Sequence, residues 1–360
     1  MAENGPREEI AKIVSQRLLQ FFKWNQYGPY DQDFSCRKAD KHKPASKDQS
    51  HTHPVDVVFG YRDPYLNKII YLNTDLKSYG EGSINPRSIE TALISLAKTI
   101  ECAEKSSAWQ DKYALAPSDF EVRGLLFVYN HDNKQQKEFI DFFEYKKREK
   151  GQKGPQIKPV ELTKIPVPKG KQIHMIEPVL INYLMSITAD VNELIVHNQF
   201  PKKDYSFYYP ELTFHKVLSS EKYLPATIEL LASPFMIIKH DAVYEYDRVE
   251  GKELKTYDEG YIVYYNRPAN DDNEFLYLLD LLSKYQILNA KNKIRIRVPQ
   301  TKASSSAQSF FQKALKKYVH EWGYDECLAN QLSQNVELSL IPHCREFYTS
   351  ENIGWKDSNA

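Results

Sequence analysis

Along the first 145 residues the spacing of apolar positions changes several times, and each change marks an element. Ile10, Ile13, Val14, Leu18, Phe21 and Phe22 recur three and four apart, which sets them on one face of a helix. Pro6, Glu8 and Glu9 suit its first turn: proline has no N–H to lose there, and acids meet the positive end of the helix dipole. From Gly28 to Thr52 the chain is polar and without period, and it predicts a long loop. Val55-Asp56-Val57-Val58-Phe59-Gly60 and the run from Lys68 to Lys77 are β-rich and joined through Arg62-Asp63-Pro64, so they predict antiparallel neighbours. Pro86 opens a helix through Ser88 to Ala103, with Ile89, Ala92, Leu93, Leu96, Ala97 and Ile100 on one side. Val122 to Asn130 is a continuous apolar run of strand length, and Lys137 to Tyr145 returns to helix.

Residues 146–171 break this pattern. Nine Lys or Arg stand against two Glu, with four prolines and three glycines, the composition of an exposed linker. Beyond it, Glu177 to His197 reads as helix, Ala226 to Lys239 as strand-like and Glu259 to Arg267 as strand. Glu274 to Leu288 is an amphipathic helix, Lys293 to Val298 alternates as a half-solvated strand, Ala307 to Trp322 is helical and Val336 to Ile341 extended. No internal repeat stands out in the sequence. Both halves therefore predict α/β structure, divided as domain 1–145, linker 146–171 and domain 172–360.

Composition adds limits. Lys plus Arg equals Asp plus Glu, 48 against 48, so any nucleic-acid surface must come from local clustering of charge. The four cysteines form no CxxC pair, and a disulfide framework is not expected in a chain of this length. The polar start and the lack of an unbroken apolar run of bilayer length point to a cytoplasmic protein with no membrane partner.

The candidate chemistry lies in the two early strands. Hydrolysis of a phosphodiester needs an oriented water and neutralised phosphate charge, which carboxylate-held divalent cations and a nearby ammonium supply. Asp56 sits near the start of the first strand, and Asp75 and Lys77 at the end of the second. Counting outward from the turn lets the two acids face each other, and Lys77, two residues on, shares the face of Asp75. Five acid-x-Lys triplets occur in the chain, but only Asp75-Leu76-Lys77 combines a strand behind it, an earlier acid on a neighbouring strand and a long helix in front.

Pro54-Val55-Asp56, 18 further residues and then Asp75-Leu76-Lys77 resemble the PD-(D/E)XK motif of restriction-endonuclease-like nucleases, over roughly residues 8–130. The resemblance implies a restriction-endonuclease-like N-terminal domain hydrolysing DNA, with RNA as the other substrate class, in restriction or anti-phage defence. It further implies Mg²⁺ or Mn²⁺ on Asp56, Asp75 and the Leu76 carbonyl, Lys77 orienting water, and Glu9 or Glu8 of the leading helix assisting. The competing reading is a catalytically inactive scaffold or nucleic-acid-binding assembly protein. A homo-oligomer or partner protein stays open, as does the role of the second domain in substrate, partner or signal recognition.

Several other residues invite function and have plainer explanations. His51-Thr52-His53 suggests a metal loop, though such pairs are usually solvated. Cys102 reads as core, packed at the end of its helix. Lys293, Arg295 and Arg297 share one strand face and can meet nucleic acid or simply protect an edge. Tyr205, Phe207, Tyr208 and Tyr209 can stack bases or form a packed corner. No GxSxG, HExxH or P-loop pattern occurs.

Overall fold

The structure, a computed structural model, describes residues 5–42, 51–114, 119–135, 137–144, 158–210, 212, 223–247, 251–289, 291–299 and 303–344. Two compact units divide the chain, one reaching to Asn182 and one beginning at Tyr183. Of the basic stretch expected as a linker, 146–157 lies outside the described residues, while 158–171 is described and includes a helical turn at Leu162–Lys164 and a buried Val160.

In the first unit α1 (Gly5–Phe21) leads to β1 (Asn25–Tyr27), β2 (Gln32–Ser35), α2 (Ala39–His42), β3 (Thr52–Val55), β4 (Val57–Arg62) and β5 (Ile69–Tyr79). There follow α3 (Pro86–Ala103), α4 (Ser107–Tyr113), β6 (Phe120–Asn130), α5 (Ile140–Phe143) and β7 (Ile173–Ile176). The main sheet runs β1-β4-β5-β6-β7, the first two pairings antiparallel and the last two parallel, while β2 and β3 form a separate antiparallel pair.

The loop expected over 28–52 is thus in part structured, and the run from Val55 is broken at Asp56, where β3 ends and β4 begins. β7 adds to the first sheet beyond residue 171, so the sheet extends past the boundary read from the linker composition. The helix expected over 137–145 is the single turn α5, and α4 has no counterpart in the sequence reading.

The long helix α3 starts where its chemistry says. Asn85 accepts the Ser88 amide at 3.1 Å, the Ser88 hydroxyl accepts the Asn85 amide at 3.2 Å, and Pro86 occupies the first turn. Its apolar face, Ile89, Leu93, Leu96 and Ile100, packs with Leu126 and Val128 of β6. Gly124 permits this close approach, since a Cβ there would lie 3.0 Å from Leu96 Cγ. Leu125 and Phe127 alternate to the opposite face and are also buried; α1 packs on β5 and β6 too.

The second unit begins within α6 (Pro178–Val196) and continues through β8 (Tyr205–Phe207), α7 (Ile228–Leu231), β9 (Phe235–His240) and the hairpin β10 (Val243–Asp247) and β11 (Lys252–Tyr257). Then come β12 (Gly260–Tyr265), α8 (Asp272–Lys284), β13 (Lys293–Pro299), α9 (Ala307–Glu321), α10 (Glu326–Asn335) and β14 (Val336–Ile341). The stretch 226–239 is thus a helical turn and then a strand.

The second sheet runs β8-β9-β12-β13-β14, again two antiparallel pairings followed by two parallel ones. Strand order and directions therefore repeat between the units, although no repeat is visible in the sequence. β4 and β5 pair Val57 with Thr74, and one step further stand Asp56 and Asp75. β9 and β12 pair Phe235 with Tyr265, and one step further stand Pro234 and Asn266, followed by Arg267 and Pro268.

β13 lies between β12 and β14 and is no edge strand. Arg295 is buried, its Nη2 3.0 Å from His240 Nε2 and its guanidinium 4.5 Å from the Tyr257 ring. Arg297 is ion-paired with Asp190 of α6, which also accepts the Tyr264 hydroxyl at 2.8 Å. These two arginines are spent on the interior and do not present a basic face. Phe207, Tyr205 and Tyr209 are likewise buried, the packed-corner alternative. By length and composition α6 could cross a bilayer, which the sequence reading did not anticipate. Ile187, Val191 and Leu194 are nonetheless buried against protein, as is Asp190.

Candidate active site

Two antiparallel strands bring the predicted residues together. Asp56, at the bend before β4, and Asp75 of β5 lie close enough for each carboxyl to act on the other's charge. Asp56 Oδ2 also accepts the Leu76 amide at 2.7 Å, and Lys77 Nζ is ion-paired with Asp75 Oδ1. The Asp75 and Lys77 side chains keep 18% and 31% of their surface exposed, enough to meet a ligand from solvent. Parallel register places Asp75 beside Leu126 and Lys77 beside Val128, so both emerge on one face of the sheet while Leu76 is buried on the other.

The electrostatics are those of an acid pair short of positive charge. Burial, and then the neighbouring Asp75 carboxylate, push the Asp56 carboxyl up to about 7. Burial alone would lower the Lys77 ammonium, but Asp75 and Asp56 outweigh it and raise it, so Lys77 stays charged. Tyr79 lies on the same face, its hydroxyl raised by burial and within the field of Lys77 and Asp75.

The leading helix reaches the segment that carries Asp56. Glu9 acts electrostatically on the Tyr30 hydroxyl, and Lys12, on the same helix, pairs with Asp31 at 2.6 Å. The Asp31 amide donates to the Asp56 carbonyl at 3.0 Å, so α1 braces the segment that carries Asp56. The Glu8 side chain lies outside the described residues. The Leu76 amide donates to Asp56, a contact separate from the role its carbonyl was expected to play towards a metal.

Sequence reasoning missed a second grouping. Among the described residues, the donors of three or more His, Cys, Asp or Glu side chains converge at Cys36, His42, His53 and Cys102, apart from the Asp56–Asp75 pair. His53, expected to be solvated, is buried. The histidine doublet was the only local signal, because Cys36 and His42 lie in a stretch without period.

An acid at a strand start beside an acid-x-Lys triplet, followed by a long helix and a parallel strand, is the plan of the PD-(D/E)XK nucleases, and residues 1–178 are a domain of that superfamily. The particular family that matches these residues is described as "GAPS4 protein PD-(D/E)XK nuclease domain". No curated protein and no solved structure matches the chain. Superfamily membership implies nucleic acid as the ligand class, and such nucleases use divalent metals.

Proposed function

We propose that the first unit is a metal-dependent nuclease that hydrolyses DNA phosphodiester bonds, acting in the cytoplasm in restriction or anti-phage defence. The observation that carries this reading is the meeting of Asp56, Asp75 and Lys77 at one partly open strand end. Two neighbouring carboxylates, one of them pushed up to about 7 by burial and the other acid, form a donor set suited to a hard divalent cation such as Mg²⁺ or Mn²⁺. Asp56 and Asp75 would hold it, with the Leu76 carbonyl as the further ligand that the family pattern implies. When bound, the metal neutralises charge on the phosphate.

The chain's own residues do the rest. The Leu76 amide fixes the direction of the Asp56 carboxylate, and Asp75 holds the Lys77 ammonium beside the pair. Lys77 orients the attacking water by hydrogen bonding and offsets charge developing on phosphorus. Glu9 acts at one remove, through the Tyr30–Asp31 segment. The second unit selects the substrate, a partner or an activating signal.

The test is incubation of the purified chain with plasmid, linear DNA and RNA in Mg²⁺, Mn²⁺ or EDTA, beside Asp75→Ala and Lys77→Ala. Metal-dependent DNA cleavage lost in both variants is expected. Cleavage of RNA alone would change the substrate class. No cleavage under any condition would favour an inactive nucleic-acid-binding scaffold.

A further inference from the structure

Four side chains from four separate segments meet away from the acid pair. Cys36 follows β2, His42 ends α2, His53 lies in β3 and Cys102 is near the end of α3. Their donor atoms all lie within 4.8 Å of one another, and three of the four residues are buried.

The spacing within the group is informative. Cys36 Sγ and Cys102 Sγ are 3.9 Å apart, His42 Nδ1 is 3.4 and 3.6 Å from those sulfurs, and His42 Nδ1 and His53 Nε2 are 3.3 Å apart. Four ligands around a tetrahedral Zn²⁺, with Zn–S near 2.3 Å and Zn–N near 2.0–2.1 Å, would stand about 3.8 Å apart for S···S, about 3.6 Å for S···N and about 3.4 Å for N···N. The observed separations fall within a few tenths of an ångström of that set.

Hydrogen bonding alone explains the group poorly. His42 Nε2 is 2.8 Å from Glu101 Oε2, so that nitrogen carries the proton given to the carboxylate, and Nδ1 keeps its lone pair. That lone pair faces two sulfurs and an imidazole nitrogen at once. A carboxylate behind a histidine ring is the usual outer support of a metal-bound imidazole, since it fixes both tautomer and direction. Lys38 and Lys41 hold Glu101 in turn, at 2.6 and 2.9 Å. The Lys38 amide lies 3.3 Å from Cys36 Sγ, placed to donate to a thiolate.

We propose that Cys36, His42, His53 and Cys102 bind one structural Zn²⁺. Two thiolates and two imidazoles are the donors this borderline-soft ion prefers, and four protein ligands leave no open position for water or substrate. The ion ties the β2–β3 pair to the end of α3. Because only Pro54 and Val55 separate His53 from Asp56, the site also anchors the approach to the acid pair.

The full chain, purified without chelator from zinc-supplemented culture, should contain about one zinc per molecule. Asp75→Ala should retain it, while Cys102→Ser should fall to roughly a tenth or less, since the remaining ligands bind far more weakly. If Cys102→Ser fails to fold, wild-type protein serves instead. Titrating its thiols with an organomercurial should release the zinc to a colorimetric indicator, and cobalt exchange should give tetrahedral d–d bands with a thiolate charge-transfer band. Wild-type protein with negligible zinc, cobalt spectra without thiolate character, or zinc lost in Asp75→Ala but kept in Cys102→Ser would each overturn the assignment.

Discussion

The Asp56 carboxylate accepts the backbone amide of Leu76 at 2.7 Å, across the junction where β4 begins beside β5. This bond spans the two pieces of the acid motif, so the direction of one acid is set by the backbone that presents the other. The amide favours the charged carboxylate, yet burial and Asp75 outweigh it and push Asp56 up to about 7. The site therefore carries unfavourable electrostatics that a bound cation would relieve.

Replacing Asp56 with asparagine keeps an oxygen for the Leu76 amide and removes the repelled charge. Nuclease activity should fall at least about 100-fold. The metal-free protein should become more stable by about 1–2 kcal/mol at pH 8, where the native carboxyl must ionise at a cost. Chemical denaturation in EDTA measures this, and a destabilised Asp56→Asn would contradict the repulsion.

Addition of Mg²⁺ should raise the melting temperature of the wild-type chain, because a ligand that binds only the folded state stabilises it by mass action. At about 100 times its dissociation constant the gain is roughly 2.7 kcal/mol. Asp75→Asn should show little or no shift in the same titration. An equal shift in both would place the bound ion elsewhere.

In the second unit, burial and then Arg295 hold His240 down to about 4, against the opposing pull of Asp241 and Glu259. Its Nε2 accepts from Arg295 and its Nδ1 donates to the Asp241 carbonyl at 3.0 Å, a pattern only the neutral ring satisfies. The folded pKa is depressed below the ordinary histidine value of 6.5, so this contribution is present above pH 6.5 and drains away as pH falls towards 4. It amounts to at most about 3 kcal/mol. Urea midpoints measured between pH 7 and 4.5 should fall less steeply in His240→Gln than in the wild type.

Asp190 is buried and holds both Arg297 and the Tyr264 hydroxyl. Asp190→Ala leaves the partly buried guanidinium without its counter-charge and should cost up to about 3 kcal/mol. Asp190→Leu combined with Arg297→Met should recover much of that loss, because it removes both charges together. Differential scanning calorimetry of the single and double variants decides. Equal destabilisation in both would mean that the stranded guanidinium is not what the single variant suffers from.

The parts of the fold that could be read from sequence are those long enough to show a period. Pro86 and a stripe of six apolar residues define α3, and the continuous run 122–130 defines most of β6. β1, β7 and β8 have three or four residues each, too few for alternation to register. β13 misled because Lys293, Arg295 and Arg297 alternate like a solvated strand, whereas two of them find partners inside. The acid pair and Lys77 were legible because Asp56 borders β4 while Asp75 and Lys77 lie on β5, and one short turn joins these strands. The Cys/His group was not, because its members are separated by 5, 10 and 48 residues and only folding brings them together.

The two sheets share one wiring diagram, yet at the matched strand end one holds an acid pair and the other holds Pro234 and Asn266. Apolar alternation maintains such a framework whatever sits at its tips, so the second copy keeps its shape without any reactive equipment there. If the first unit is the nuclease we propose, each polypeptide owns a single cutting edge. One encounter with a closed circular duplex severs one strand, and the nicked circle should accumulate before the linear form, which waits for a second visit or a second molecule.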